Sequence, residues 1–180
     1  MLKVTIPSIE QYDEEKNEFF STKSYELQLE HSLISLSKWE SKWKKPYLSN
    51  TEKTPEEAID YIRCMTLNSG VDPECYQYLS PETIKEIEKY INDPMTATTF
   101  SKDKFGQKSR EIITSEVIYY WMVAQNIPFE CQKWHLNRLL TLINICSIKN
   151  QPPKKMSSKE VMSRNSALNA ARRQAMNTRG

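Results

Sequence analysis

Hydrophobic and polar residues alternate in two short segments near the start of the chain. Residues 2–6, "LKVTI", and residues 25–30, "YELQLE", both have this two-residue period, which predicts two strands paired as an antiparallel hairpin. The charged stretch "DEEKNEFF" between them is predicted to be a turn. An isolated hairpin is marginally stable in water, so we expect this one to pack on a larger body.

From residue 31 onward the spacing of apolar residues becomes helical. The segment "HSLISLSKWESKWKKPYL" predicts a helix that ends at Pro46, because proline lacks the amide hydrogen that a continuing helix needs. Leu33, Leu36, Trp39 and Trp43 fall near helical spacing, and Trp39 and Trp43 are four residues apart on one face.

Two further helices have recognisable start signals. Thr54 precedes Pro55, and Glu57 follows three residues after Thr54, a combination typical of a capped helix start. Ser80 followed by Pro81 repeats this pattern. The predicted inward positions are Ile59, Ile62 and Met65 in the first of these helices and Ile84, Ile87 and Ile91 in the second.

The second half of the body is predicted to contain a long loop and two more helices. Residues 94–110 are predicted to form the loop, with short strands at 97–100 and 111–114 as the alternative. "SEVIYYWMVAQ", residues 115–125, is apolar on nearly every side, so we expect this helix at the centre of the body. The segment after Pro128 predicts one helix of about five turns. Its predicted inner face consists of Trp134, Leu139, Leu142, Ile143 and Cys146.

Residues 1–148 are predicted to form the folded body, and the segment that follows differs in composition. Residues 149–157, "KNQPPKKMS", indicate an extended linker, because a residue that precedes proline avoids the helical conformation. Ser157 or Ser158 then caps a basic helix within residues 158–180. The expected fold class is mainly α (α+β): a compact helical body with a small N-terminal β-hairpin and a C-terminal basic helix on a proline-containing linker.

Composition supports one domain with an appendage and reveals an uneven distribution of charge. The 180 residues are 38% hydrophobic, which suffices for one core, and the presence of only three Gly argues against a glycine-rich phosphate-binding loop. The chain carries 25 Lys and Arg against 23 Asp and Glu, and residues 149–180 hold eight of these bases and one of these acids. Residues 149–180 therefore carry +7 and residues 1–148 carry −5, which indicates charged partners.

No set of residues indicates catalysis or cofactor binding. Cys131 and His135 stand four apart on a predicted helix, but the sequence offers neither the further ligands of a metal site nor the third group of a Cys–His nucleophile. The acidic runs at 13–16 and 55–60 lie at turns or helix starts, where carboxylates stabilise the helix dipole. We therefore expect a protein without enzymatic activity, metal or cofactor.

The sequence also predicts where the protein resides. Its start lacks the apolar segment of a secretory signal, and no run of about 18 apolar residues occurs, so we expect a cytoplasmic protein with no membrane partner. Cysteines in the cytoplasm are usually reduced, and none of these is arranged as Cys-x-x-Cys. The cysteines expected to be free are Cys64, Cys75, Cys131 and Cys146.

Two segments are candidates for partner binding. Trp39 and Trp43 lie among lysines in "KWESKWKKPYL", a mixture that suits a protein interface, a nucleic acid, or a core that buries both rings beneath solvated lysines. The C-terminal helix has a thin apolar stripe and is marginal alone in water, so it frays or binds a partner. It could contact phosphates, an acidic protein surface, or solvent only. Its candidate binding residues are Arg164, Arg172, Arg173 and Met176.

Six segments together resemble a family of small proteins from the tail-gene region of long-tailed bacteriophages, often described as tail assembly chaperones. The segments, which are distributed along almost the whole chain, are "VTIPSIEQYDEEKNEFF", "LQLEHSLISLSKWESKWKKPYL", "EEAIDYIRCM", "MTATTFSKDKFG", "IYYWMVAQNIPFECQKWHLNRLLTLINICSIKNQPP" and "RNSALNAARRQAMNTRG". The resemblance implies a helical, non-enzymatic protein of the host cytoplasm that binds the tape measure protein before the tail tube polymerises. The strongly basic tail departs from the family, whose members are often acidic.

The resemblance leaves three functions open. The first is a tail assembly chaperone whose partner is the tape measure protein. The second is a structural virion component, such as a connector, tail or baseplate subunit, whose basic arm docks on a neighbouring subunit or on another copy of the chain. The third, a nucleic-acid-binding regulator, is disfavoured because the sequence has no recognisable reading module.

Overall fold

The computed structural model of this chain describes residues 1–8, 10–13, 18–21, 23–49, 51–100, 112–150 and 157–177. The chain divides into two compact units, Met1–Ser147 and Ile148–Gly180. The first unit contains the strands, most of the helices and the hydrophobic core, and the second contains the C-terminal helix. The fold is mainly α with a small antiparallel β element, as the sequence predicts.

The N-terminal strands form the predicted hairpin and one additional pair. Strands β1 (Leu2–Ile6) and β4 (Tyr25–Leu29) pair antiparallel, with Val4 opposite Leu27. Their inward side chains alternate with exposed ones, which is the pattern that defined both segments in the sequence. Strands β2 (Glu10–Asp13) and β3 (Glu18–Ser21) also pair antiparallel. The prediction of a simple turn at "DEEKNEFF" is therefore wrong at its end, where "EFFS" is a strand.

Helix α1 (Leu33–Trp43) lies at the centre of the first unit. Ser32 caps its start by accepting a hydrogen bond from the Ser35 amide, and Lys44 ends it in the left-handed conformation, two residues before Pro46. Its Trp39 belongs to one core cluster, formed with β1, β4 and the next two helices. Its Leu33 and Leu36 belong to a second cluster, formed with the later helices.

The next two helices begin where their start signals predict. Helix α2 (Pro55–Met65) has a complete capping box between Thr54 and Glu57, and helix α3 (Pro81–Asn92) is capped by Ser80. A 3-10 helix (Pro73–Tyr78) lies between them. The predicted inward residues pack as expected. Ile62, Met65 and Ile87 are buried, and Ile59, Ile84 and Ile91 pack partly buried against the same cluster.

The Thr54 cap provides a test of how far local signals stabilise the fold. Thr54→Ala is expected to lower the free energy of unfolding by about 1 kcal/mol, because the Glu57 amide loses the Thr54 hydroxyl that accepts its hydrogen bond at 3.2 Å. Urea denaturation followed by circular dichroism measures the change. Thr98→Ala, at an exposed position outside any helix, is the matched control and should leave stability unchanged. Equal effects of both substitutions would contradict a role for the cap.

Helix α4 (Ser115–Ala124) does not occupy the centre of the body, so that prediction is wrong. Ser115, Ile118 and Met122 are buried, but Tyr120 and Val123 on the opposite side are exposed. Helix α4 packs with one face against α1, which has residues in both core clusters. An apolar sequence therefore did not indicate burial on every side.

The single helix predicted after Pro128 is in fact two segments. A 3-10 helix (Phe129–Lys133) is followed by helix α5 (Leu136–Asn150), with Trp134 in an extended conformation between them. Here the Leu136 amide donates to the His31 carbonyl oxygen at 2.7 Å, and His135 forms an isolated β-bridge with Ser32. This tertiary pairing requires extended backbone, which interrupts the helix. Leu139 and Ile143 are buried and Leu142 and Cys146 partly buried as predicted, but Trp134 is exposed.

The predicted strand at 97–100 is absent from the structure, and residues 112–114 form no strand either. Residues 101–110 of the predicted loop and Glu111 of the alternative strand lie outside the described residues. Residues 151–156 of the predicted linker also lie outside them, whereas Lys149 and Asn150 belong to α5. Helix α6 (Ser158–Met176) begins at the predicted Ser157 cap, which forms a capping box with Glu160.

Candidate partner-binding surfaces

Helix α6 presents every one of its side chains to solvent within its own unit. Residues 158–176 are all exposed, including the candidate residues Arg164, Arg172, Arg173 and Met176. Val161 and Leu168 are seven residues apart, so they lie two turns apart on one side of the helix. The helix ends at Asn177 in the left-handed conformation, which is typical of a helix stop. This arrangement gives α6 a narrow apolar stripe, and Arg172 lies one turn after Leu168 on the same side.

Trp39 is part of the core, which is one of the interpretations left open by the sequence. Its side chain is 1% exposed, and its indole N–H donates to the Glu57 carbonyl oxygen at 2.9 Å. The ring contacts Trp43 in a stacked arrangement and Tyr47 and Tyr61 edge to face. Trp39 therefore offers no surface to a partner in this conformation.

Trp43 is half-buried, and the charges around it are already paired. Its indole N–H donates to Asp60 at 2.8 Å, and Lys42 donates to the same carboxylate at 2.5 Å. Burial acts to raise the pKa of Asp60, but the hydrogen bonds from Lys42 and Trp43 outweigh it and hold the pKa below its ordinary value. Lys45 likewise donates to the carboxylate of Glu57, and this bond lowers the Glu57 pKa. Lys42 and Lys45 therefore join α1 to α2, while 58% and 60% of their side-chain surface remains exposed to solvent.

The sequence did not single out one apolar surface, which lies on α4 and the adjacent 3-10 helix. Tyr120 is 67% exposed, Val123 58% and Phe129 53%. Tyr120 and Val123 are three residues apart on one helix face, and Phe129 packs near Tyr119 with ring centroids 6.4 Å apart. We call Tyr120, Val123 and Phe129 the α4 face. The sequence did not predict the α4 face, because the helix is apolar on nearly every side and has no polar stripe that indicates which side is exposed.

Two carboxylates flank the α4 face. Glu116 lies one turn before Tyr120 on α4, and Glu130 follows Phe129; both are exposed. The pKa of Glu116 is lowered, first by a hydrogen bond from its own backbone and then by Thr114, with a smaller contribution from Lys44. The edge of the face is thus polar and partly acidic, while its centre is aromatic and aliphatic.

The two histidines of the chain meet in the interior, where the two core clusters adjoin. The rings of His31 and His135 are 5.1 Å apart between centroids, and His31 Nδ1 shares a hydrogen bond with the Tyr61 hydroxyl at 2.6 Å. His135 Nε2–H donates to the Tyr90 carbonyl oxygen, and the Asn137 amide donates to His135 Nδ1. Burial, followed by the proximity of His135, lowers the pKa of His31 to about 3. Burial also lowers the pKa of His135.

A shallow pocket lies on the surface beside this pair. Its volume is about 290 Å³, and Glu30, Tyr90, Lys133, Trp134 and Arg138 are among its lining residues. The Arg138 guanidinium lies 4.4 Å from the centre of the Trp134 ring. The Tyr90 hydroxyl donates to Glu30 at 2.8 Å. These contacts hold the aromatic and charged side chains of the pocket against one another.

Cys131 and His135 are both buried, and within the described ranges no group of three or more His, Cys, Asp or Glu could hold a metal ion. All four cysteines are free, as expected. Among the helices that the structure describes, none is long and apolar enough to cross a membrane.

No protein family, curated protein or solved structure matches this chain.

Proposed function

We propose that this chain is a non-enzymatic tail assembly factor of a long-tailed bacteriophage, a chaperone that binds the tape measure protein in the host cytoplasm. The observation that carries the proposal is the exposure of α6, a helix of 19 residues with no buried side chain. Most helical stability in proteins comes from the packing of an apolar face, so α6 gains stability from a partner that covers its apolar stripe.

The side chains of α6 suit a long helical partner. Val161 and Leu168 supply an apolar stripe, and Met162 and Met176 are exposed thioethers that adapt to irregular apolar surfaces. Arg172 and Arg173 add charge that attracts acidic residues beside such a surface. These features agree with the resemblance to tail assembly chaperones, in which a soluble protein masks apolar parts of the tape measure chain.

Co-purification from cells that produce the phage tests the proposal. The tagged full-length chain is expected to bring down the tape measure protein, identified by mass spectrometry. The double variant Arg172→Glu/Arg173→Glu should recover it at a level about tenfold lower or less, because like charges on the two surfaces then repel. Lys85→Glu/Lys89→Glu, on the exposed side of α3, makes the same change in net charge and should behave as the wild type.

Two outcomes would count against this function. One is recovery of no tape measure protein with the wild-type chain. The other is equal recovery with the α6 variant and its control, which would remove α6 from the interaction.

The second candidate is a structural virion component whose basic arm docks on a neighbouring subunit. The division of the chain into two compact units favours it, because an arm that locks subunits together folds separately from the body that it serves. Mass spectrometry of purified particles distinguishes the two candidates. Stoichiometric copies in the virion would support the structural role, and absence from the virion would support the chaperone.

A further inference from the structure

We propose that the protein associates with itself head to tail, with α6 of one copy docked on the α4 face of a second copy. The inference goes beyond the proposed function and does not depend on it, because it concerns two surfaces of the same chain. Each surface is exposed in the structure, and no helix or strand among the described residues covers it.

The α4 face has the composition of an interface centre. Its exposed members are one Tyr, one Phe and one Val, and aromatic side chains are enriched at the centres of protein interfaces. Tyr120 and Val123 project from a regular helix whose opposite side is anchored in the core by Ile118 and Met122, so the face is rigid. A rigid apolar face loses little conformational entropy when another helix covers it.

Helix α6 fits this face in shape and in charge. Its apolar stripe is narrow, and so is the α4 face, which is formed by one short helix and a 3-10 helix. Residues 149–180 carry +7, whereas residues 1–148 carry −5, so the tail of one copy is attracted to the body of another. Locally, Arg172 and Arg173 can approach the flanking carboxylates of Glu116 and Glu130 while Val161 and Leu168 cover the aromatic centre.

We assign a second copy as the occupant because both complementary surfaces belong to this chain. The two surfaces belong to one chain, so they are always present at equal concentration. The contact is heterologous, because each copy uses α6 to donate and the α4 face to accept, and such contacts form chains or closed rings. Self-association would keep α6 ordered until a partner with higher affinity displaces it.

Sedimentation velocity of the full-length protein over a range of concentrations tests the inference. We expect species larger than the monomer that increase with protein concentration and decrease as salt screens the charges. Tyr120→Ser/Val123→Ser should weaken acceptance, and Arg172→Glu/Arg173→Glu should weaken donation, each raising the dissociation constant by about tenfold or more. Leu67→Ser, at an exposed apolar position outside the α4 face, and Lys85→Glu/Lys89→Glu should associate as the wild type does.

A mixture of the two defective variants is the decisive experiment. The α4 variant still carries an intact α6, and the α6 variant still carries an intact α4 face, so the mixture should form a 1:1 heterodimer that grows no further. All four substituted residues are exposed, so we expect each variant to fold. Circular dichroism of each variant checks this expectation.

Three results would overturn the inference. A protein that stays monomeric at every concentration has no such contact, or docks α6 within one copy. Dimers in which the mixture shows no rescue would indicate a symmetric contact, α4 with α4 or α6 with α6. Association that neither variant weakens would place the interface elsewhere. The proposed function is tested separately, by co-purification of the tape measure protein.

Discussion

Trp39→Ala is expected to lower the free energy of unfolding by about 3–5 kcal/mol, the largest effect of any single substitution considered for this chain. The side chain is 1% exposed and packs against Trp43, Tyr47 and Tyr61, so its removal leaves a cavity in the larger core cluster. The variant also loses the hydrogen bond to the Glu57 carbonyl oxygen, which connects α1 to α2. Small domains have a total stability of about 5–15 kcal/mol, so this loss is a large fraction of it.

Urea denaturation monitored by circular dichroism measures this effect, and two variants serve as references. Trp134→Ala removes an exposed ring that contacts Arg138, and should cost about 0.5–1 kcal/mol. Trp39→Phe retains most of the apolar ring but lacks the indole donor, and should cost about 1–3 kcal/mol, which keeps the test informative if the alanine variant does not fold. Equal losses for Trp39→Ala and Trp134→Ala would show that Trp39 does not hold the core together.

Acidification below pH 6.5 is expected to destabilise the protein by up to about 1.4 kcal/mol per pH unit through His31 alone. Burial lowers the pKa of His31 from 6.5 to about 3, so between these values the unfolded state binds a proton that the folded state excludes. The free energy of unfolding therefore falls as the pH falls through this range, by about 2 kcal/mol at pH 5, and is unaffected well above pH 6.5. The lowered pKa of His135 acts in the same direction.

Equilibrium unfolding at several pH values between 7.5 and 5 tests this dependence. Carboxylates such as Glu57 and Asp60 have pKa values below 4.5 and 3.8, so they titrate outside this window. The chain has two histidines, and the double variant His31→Gln/His135→Gln lacks both. Whatever its absolute stability, we expect its free energy of unfolding to be nearly independent of pH in this window. A double variant with the slope of the wild type would assign the pH dependence to other groups.

Most of the secondary structure follows from local signals in the sequence. The capping residues Ser32, Thr54, Ser80 and Ser157 all lie within three residues of the amides they bind, so the helix starts can be recognised without knowledge of the fold. The hairpin strands β1 and β4 are likewise marked by alternation alone. The same reasoning identified α6 and its exposed residues, because a helix rich in Ala and Arg with a thin apolar stripe cannot form a core.

The start of α4 illustrates a feature that local signals do not contain. Thr114 makes no side-chain cap hydrogen bond, and the Ser115 amide instead donates to a carboxylate oxygen of Glu40 at 2.7 Å. The other oxygen of Glu40 accepts from the Tyr47 amide at 2.9 Å. A buried carboxylate on α1 therefore supplies the cap of a helix that begins 75 residues later. No pattern near Thr114 reveals this partner.

The sequence by itself determined the fold class, the capped helix starts, the two hairpin strands and the uneven distribution of charge, because each is marked by residues close together in the chain. Only the tertiary structure decided which helix is central, where the segment after Pro128 breaks and which side of α4 is exposed. It also decided that Trp39 is a core residue and that His31 meets His135. The physical reason is that burial and long-range hydrogen bonds depend on which elements pack together. The sequence of a helix that is apolar on every side does not indicate which side its neighbours bury.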